Sequence, residues 1–378
     1  FKGKDGGSNI TALTLDMSAA GTATFGGGVI IEGAGDSSDG LHLKDRTFLA
    51  FSDAGSVVSR FRSPSTGDYQ FQDASYNTRV EFNNSGNITA TSYNGIPFYS
   101  DAGNKSMYAH DVSGTDDAAA QNTAYGFDAL AAITTGDNNT ALGHDAGQAL
   151  TSGPQNVLIG NKAGFALTTG GQNIAIGNSA LSTEDGHGSN VAIGHEALED
   201  LNAGQQGFNV AVGHAAGKQM TTGTENTIVG SAAGDALTTG SQNVAIGRGA
   251  LGSEDTTGKA VAVGYAALNA QNASADSYNV AVGYNAGISV STGTKNILVG
   301  GLAGDALTTG EYNIAIGHNS LSAEDTGTRN VAIGFEALRD LNYDGTGYNT
   351  AIGWQTGLSL TTGTGNTIVG GLAGDALT

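Results

Sequence analysis

From residue 122 onward, apolar and polar positions recur on a short fixed cycle. An Asn is followed by three apolar or β-branched residues and a Gly, and the phrase then begins again. It starts at Asn122, Asn139, Asn156, Asn173, Asn190, Asn209, Asn226, Asn243, Ala260, Asn279, Asn296, Asn313, Asn330, Asn349 and Asn366. Successive starts are spaced by 17, except for three steps of 19. A short fixed period predicts a solenoid, in which each coil buries its apolar face only by stacking on its neighbours. Taking the Asn as position zero, positions one and three are Val, Ile, Leu or Thr, with Tyr125 an exception, and position two is usually Ala. Alternate side chains of a strand face opposite ways. Apolar residues on both faces predict a strand buried on both sides. One face fills the coil; the other is expected to pack on further copies of the chain.

The long steps impose a second period. Asn139, Asn209, Asn279 and Asn349 are evenly spaced, and each block between them holds four coils, three short and one long. The second coil carries Ala-Gly-x-Ala-Leu-Thr-Thr-Gly, the third carries Glu-Asp, and the fourth has two extra residues. Position eight alternates by pairs of coils, Leu-Leu then Gly-Gly, and position seven is Ala except at Ser320 and Thr356. Position seven reads as a tight second wall.

Two columns are structural candidates. The first comprises Asn139, Asn156, Asn173, Asn190, Asn209, Asn226, Asn243, Asn279, Asn296, Asn313, Asn330, Asn349 and Asn366. Stacked amides of this kind bond along an in-register ladder, and Ala260 reads as a tolerated local loss. The second is the Gly at position four, represented by Gly143, Gly177, Gly213, Gly247, Gly283, Gly317 and Gly353. It predicts a positive φ or a backbone too crowded for a Cβ.

The first hundred residues lack the cycle and hold eight of the twelve Phe. Short alternating runs such as Ala12–Asp16, Thr24–Phe25, Val29–Ile31, Leu41–Leu43, Thr47–Phe51, Tyr69–Phe71, Arg79–Phe82 and Asn87–Thr91 predict an irregular β-rich segment. The expected organisation is therefore all-β. A shaft spans 1–98, a polar connector 99–121, and a parallel β-solenoid of fifteen coils 122–378. Helix is expected at most as a single turn, for instance over Glu196–Leu201.

Composition narrows the function. There is no Cys, and the net charge is −20, which disfavours nucleic acid and anionic membrane surfaces. No apolar run approaches the roughly 18 residues that a membrane-spanning helix needs. Phe1 is not an initiator and Thr378 falls inside a turn, so a fragment of a longer chain is expected.

No nucleophile–base pair or phosphate loop is present, so neither enzymatic activity nor a cofactor is expected. The Glu-Asp pairs, Glu184 and Asp185, Glu254 and Asp255, Glu324 and Asp325, are weak candidates for a hard cation; solvated turns are the plainer expectation. His144, His195, His214 and His318 share position five with Asn, Ser, Arg, Gly and aromatic residues, which marks an exposed, variable stripe. Rigid amphipathic rings suit sugars and flat partner surfaces. Candidate receptor contacts are therefore Tyr265, Tyr284, Phe335 and Trp354 in that stripe, and Phe208, Tyr278 and Tyr348 in the long turns. Coverage of coil edges is the plainer role for these rings. The Thr-Thr-Gly turns raise an ice-binding reading, but the third and fourth coils interrupt the Thr array.

The run Asn-Val-Ala-Ile-Gly-x-x-Ala-Leu resembles the head repeat of trimeric autotransporter adhesins, which implies a β-roll packed as a homotrimer. The repeat here is longer by about three residues, so that family's turn geometry does not carry over. With Thr11–Phe25 and Asn83–Thr91, which resemble β-rich fibre shafts, the chain as a whole looks more like a bacteriophage tail fibre. That resemblance implies a structural virion protein supporting host-receptor recognition and adsorption, partnered with itself, other tail proteins and a host surface glycan or protein. The alternatives are the passenger region of a cell-surface adhesin and a glycan-degrading tailspike. A chaperone-like domain after residue 378 would favour the fibre; a four-strand membrane anchor would favour the adhesin.

Overall fold

The computed structural model describes residues 118–378 and, before them, the backbone of nine short strands between Phe48 and Tyr108. The runs expected within residues 1–46 lie outside the described residues. Strands β1 (Phe48–Asp53), β2 (Ser56–Arg62), β3 (Tyr69–Asp73), β4 (Thr78–Phe82) and β5 (Ile88–Ala90) form an antiparallel meander in chain order. Four of these match expected runs; β2, Ser-Val-Val-Ser-Arg-Phe-Arg, is an addition to them. Strands β6 (Ser92–Tyr93) and β7 (Ile96–Pro97) form a small hairpin.

The stretch expected to be a connector is more ordered than its composition suggests. It holds β8 (Tyr99–Asp101) and β9 (Ser106–Tyr108), an antiparallel pair. Strand β9 runs parallel to β10 (Thr123–Tyr125), so the long ladder begins before the first Asn phrase.

Fifteen three-residue strands follow, β10 to β24 (Thr367–Val369), one per coil. Each pairs in parallel with the next without slippage: Ile174 meets Val191, Ala175 meets Ala192 and Ile176 meets Ile193. At roughly 4.8 Å per strand, fifteen coils extend about 70 Å. Among the described residues there is no helix.

The strand buries one face only. Position two is fully buried at Ala175, Ala192, Ala211 and Leu158, while positions one and three remain half-buried or exposed. Within a single chain, the expected second buried face is an outward apolar stripe. Position seven forms the second wall, buried at Ala163, Ala180 and Ala197. It is linked between coils by bonds such as Leu181 N–H to the Ala197 carbonyl at 3.0 Å.

Glu196–Leu201 is not a helical turn. Glu196 and Leu198 both take left-handed φ values, 57° and 50°, which reverse the chain within one coil. The same pair of left-handed residues, at positions six and eight, recurs along the stack. Leu fills position eight where the interior has room. Gly takes it where a neighbour fills the space: a Cβ on Gly147 would lie 2.6 Å from Leu158 Cδ1, and one on Gly164 would lie 2.7 Å from Leu158 Cδ2. The large residue at position two of the second coil thus serves both Gly coils of its block.

The Gly at position four meets both expected conditions. Gly213 has φ 141°, and a Cβ there would sit 2.5 Å from the Gly230 carbonyl oxygen. The Asn column bonds differently from a simple amide stack. Each Oδ1 accepts the next coil's position-zero backbone N–H, at 2.8 Å from Asn139 to Asn122 and 2.9 Å from Asn243 to Asn226. Most Nδ2 groups donate to a turn carbonyl of their own coil, as Asn209 does to Gly223 at 2.9 Å. Direct amide–amide bonds supplement these at some rungs only, for example Asn156 to Asn139 at 3.0 Å.

Ala260 is not an uncompensated loss. Its N–H still bonds to Asn243 Oδ1 at 3.0 Å. Position eleven of its coil is the buried Gln271, where the other complete four-coil blocks carry Leu201 and Leu341. Gln271 Oε1 accepts Asn279 Nδ2 at 2.8 Å, and its Nε2 reaches Glu254 Oε2 at 2.9 Å and Ser277 Oγ at 3.0 Å. A buried side-chain relay stands where one amide is missing.

Candidate functional site

The aromatic candidates fall into two exposed columns, one at each end of the short outer strand. Position five carries one column because the Gly before it turns the backbone outward at every level. Its rings stack nearly parallel. Tyr265 and Tyr284 have centroids 5.4 Å apart with planes at 13°. His318 lies 5.6 Å from Phe335, which lies 6.2 Å from Trp354. Phe127–His144 and His195–His214 form two further stacks. The aromatic rings of this column are exposed, from Phe335 at 41% to Phe127 at 71%. The position-five histidines therefore sit in a surface stack, two of them against aromatic rings and two against each other.

Arg248 caps the Tyr265 ring, its guanidinium carbon 5.9 Å from the centroid. Arg248, Tyr265, Tyr284, Asn269 and Asn285 help line a surface groove of about 440 Å³. Gly249 and Ala266, small residues at position six of two successive coils, also line it.

The second column is the residue just before each Asn, and it holds Phe208, Tyr278 and Tyr348, all exposed. From coil to coil it reads Lys259, Tyr278, Lys295, Tyr312, Arg329, Tyr348. Cations and rings alternate, and each cation lies over a ring. Lys259 Nζ is 5.3 Å from the Tyr278 centroid, Lys295 Nζ 4.8 Å from Tyr312, and the Arg329 guanidinium carbon 5.0 Å from Tyr312 and 6.0 Å from Tyr348. Contacts of this kind contribute about 0.5–1 kcal/mol at exposed sites. The Asp276 carboxylate, and then Tyr278, hold the Lys259 ammonium above its ordinary range; Tyr312 does the same for Lys295. Sequence reasoning missed Tyr312 and the cations. Their signal lies in the residue preceding each Asn, whose alternation emerges once coils are aligned.

The Glu-Asp pairs are not solvated turns. Glu184, Glu254 and Glu324 are fully buried, while their Asp neighbours are half-buried or exposed. Each Glu clasps two coils. Glu184 Oε1 accepts the His187 N–H at 3.0 Å and Oε2 accepts the Ala203 N–H of the next coil at 3.1 Å. Glu324 does the same with Gly327 at 2.7 Å and Tyr343 at 3.3 Å. Glu254 uses Thr257 N and Oγ1, and Gln271. Burial pushes the Glu324 carboxyl above its usual range.

Glu184, Asp185 and His187 do converge, with donor atoms within 4.8 Å of one another. His187 Nδ1 lies 3.2 Å from Glu184 Oε1. Both Glu184 oxygens are engaged by backbone N–H groups, so the residues present fit a turn clasp better than a cation site.

The Thr-Thr-Gly hydroxyls are also engaged. Thr134, Thr168, Thr221 and Thr238 Oγ1 each donate to a carbonyl one coil on, at 2.7–3.2 Å. They tie turns together rather than ordering water. No family model matches the chain, and neither a curated protein nor a solved structure matches it.

Proposed function

We propose that the chain is part of a trimeric bacteriophage tail fibre, a structural rod on the virion that supports host-receptor recognition and adsorption. One observation carries the trimer. The outer strand face presents an apolar stripe, from Val157 and Ile159 through Val210 and Val212 to Ile314 and Ile316, interrupted over that span by Thr227 alone, that one chain leaves half-buried or exposed. Burying such a stripe stabilises by roughly 25 cal/mol per Å², and a homomeric partner with the same period meets it rung for rung. The resemblance to phage fibres supports the virion assignment. Stiffness comes from parallel ladders, buried Glu clasps and the asparagine column, none of which needs a catalytic group. The two aromatic columns border the stripe and supply the surface for a host glycan or a neighbouring tail protein.

Native mass spectrometry tests the assembly: three chains per particle is expected, and a monomer would overturn it. Replacing Tyr278 and Tyr348 by Ser tests the contact surface. Adsorption to the host should weaken while the melting transition stays in place; unchanged adsorption would remove these tyrosines from recognition.

A further inference from the structure

Most cations of the solenoid are spoken for. Lys218, Lys259 and Arg339 form ion pairs with Glu or Asp. Lys295 donates to the Tyr312 hydroxyl, and Arg329 donates to Thr328 Oγ1. The side chains of Lys162 and Arg248 form neither an ion pair nor a hydrogen bond among the described residues. Of these two, Arg248 lines the groove of about 440 Å³, and no carboxylate lines that groove with it. Its contact with Tyr265, at 5.9 Å from the ring centroid, engages the face of the guanidinium. The five N–H donors lie in the guanidinium plane, in the fork that matches a carboxylate or phosphate.

The rest of the groove suits a sugar. It crosses four coils, from Ala232 to Ile288, about 14 Å at one strand spacing per coil. Its volume lies within the roughly 300–1,000 Å³ of small-molecule sites. The Tyr265 and Tyr284 hydroxyls bond to nothing else among the described residues. Asn269 Nδ2 is engaged by the Gly249 carbonyl at 2.8 Å, which leaves Asn269 Oδ1 as an acceptor. An extended peptide fits less well, because strands β17 (Val244–Ile246), β18 (Val261–Val263) and β19 (Val280–Val282) are already paired on both edges and offer no backbone for strand addition. A net charge of −20 opposes dense polyanions, so one oxyanion seated on one cation is the fitting charge.

We propose that this groove holds an acidic sugar residue of a glycan, its oxyanion accepting two N–H bonds from Arg248 and its hydroxyls bonding to Tyr265, Tyr284 and Asn269. This rests on the reading that the aromatic stripe touches a glycan. The full chain is titrated with methyl glucuronide, methyl galacturonide, glucose 6-phosphate and methyl glucoside, and binding is followed by saturation-transfer NMR. At least one acidic sugar should bind about tenfold or more tightly than the glucoside, the equivalent of roughly 1.4 kcal/mol. The uronides and the phosphate separate a carboxylate from a phosphate source. Arg248→Gln should erase the preference for acid. Ala266→Gln should weaken all four ligands by filling the groove; the backbone accepts that side chain, since Gln355 occupies position six at φ 50° and Ala266 has φ 51°. Neither variant should change the native mass. No acidic sugar bound by the parent, or an acid preference that survives Arg248→Gln, overturns the proposal. If adsorption still falls when Tyr278 and Tyr348 are replaced, the glycan reading stands without this groove. Acidic-sugar binding that Arg248→Gln abolishes, with adsorption intact in the tyrosine variant, upholds the groove and removes the tyrosines from recognition.

Discussion

Restoring the consensus Asn at position 260 should destabilise the protein. In the other two long turns the residue two places before the next Asn is Gly. A Cβ on Gly207 would lie 2.1 Å from Asn190 Oδ1, and one on Gly347 would lie 2.1 Å from Asn330 Oδ1. The third long turn has Ser277 at that place, fully buried, and it fits because its coil carries Ala260 in place of the amide. Ala260→Asn drives an amide oxygen into a site already occupied by the Ser277 side chain. Overpacking of this kind costs about 1–3 kcal/mol. Adding Ser277→Gly should recover most of the loss, since Gln271 keeps its bonds to Glu254 and Asn279. A double-mutant cycle read by urea unfolding should then give a coupling energy of about 0.5–3 kcal/mol. Additive effects, or stabilisation by Ala260→Asn alone, would refute the reasoning.

Gly213→Ala places a Cβ 2.5 Å from the Gly230 carbonyl at φ 141°. It should cost at least about 2 kcal/mol in urea unfolding, whereas Gly301→Ala, whose Cβ would meet only His318 Cδ2 at 3.4 Å and the Tyr284 carbonyl at 3.9 Å, should be nearly neutral; equal effects would remove the distinction between the two glycines. Burial raises the Glu324 carboxyl above its unfolded value, so its contribution is fully present below the unfolded value and is lost as pH rises through the folded one. The melting-temperature advantage of the parent over Glu324→Gln should therefore shrink from acid pH towards neutrality, and an advantage that grows with pH would contradict the assignment.

The coil period, the strand of each coil and the need for Gly at position four were legible because each is a local rule repeated in every coil. The turns were not. Asp185 is a surface residue, but nothing within Glu184-Asp185 announces that Glu184 points inward: its partners are backbone N–H groups of His187 and Ala203, the second a full coil away. A backbone donor leaves no trace in composition. Gln271 was missed for a related reason, since its value emerges only when the absence at Ala260, earlier in the same coil, is read with it. Tyr265, Tyr284, Phe335 and Trp354 were found from their column. Strands β8 and β9 were hidden by a polar, Gly-containing composition that reads as linker.

The shared use of Leu158 by Gly147 and Gly164 bears on how such a rod changes length. Removing one coil would set a Gly coil beside the wrong neighbour, leaving a hollow on one side and a collision on the other. Removing a whole four-coil block rejoins like with like, and every contact across the seam is one the molecule already makes. Solenoid length in descendants of this gene can then drift only in quanta of four coils, about 19 Å each. Recombination between blocks becomes a ruler with fixed graduations.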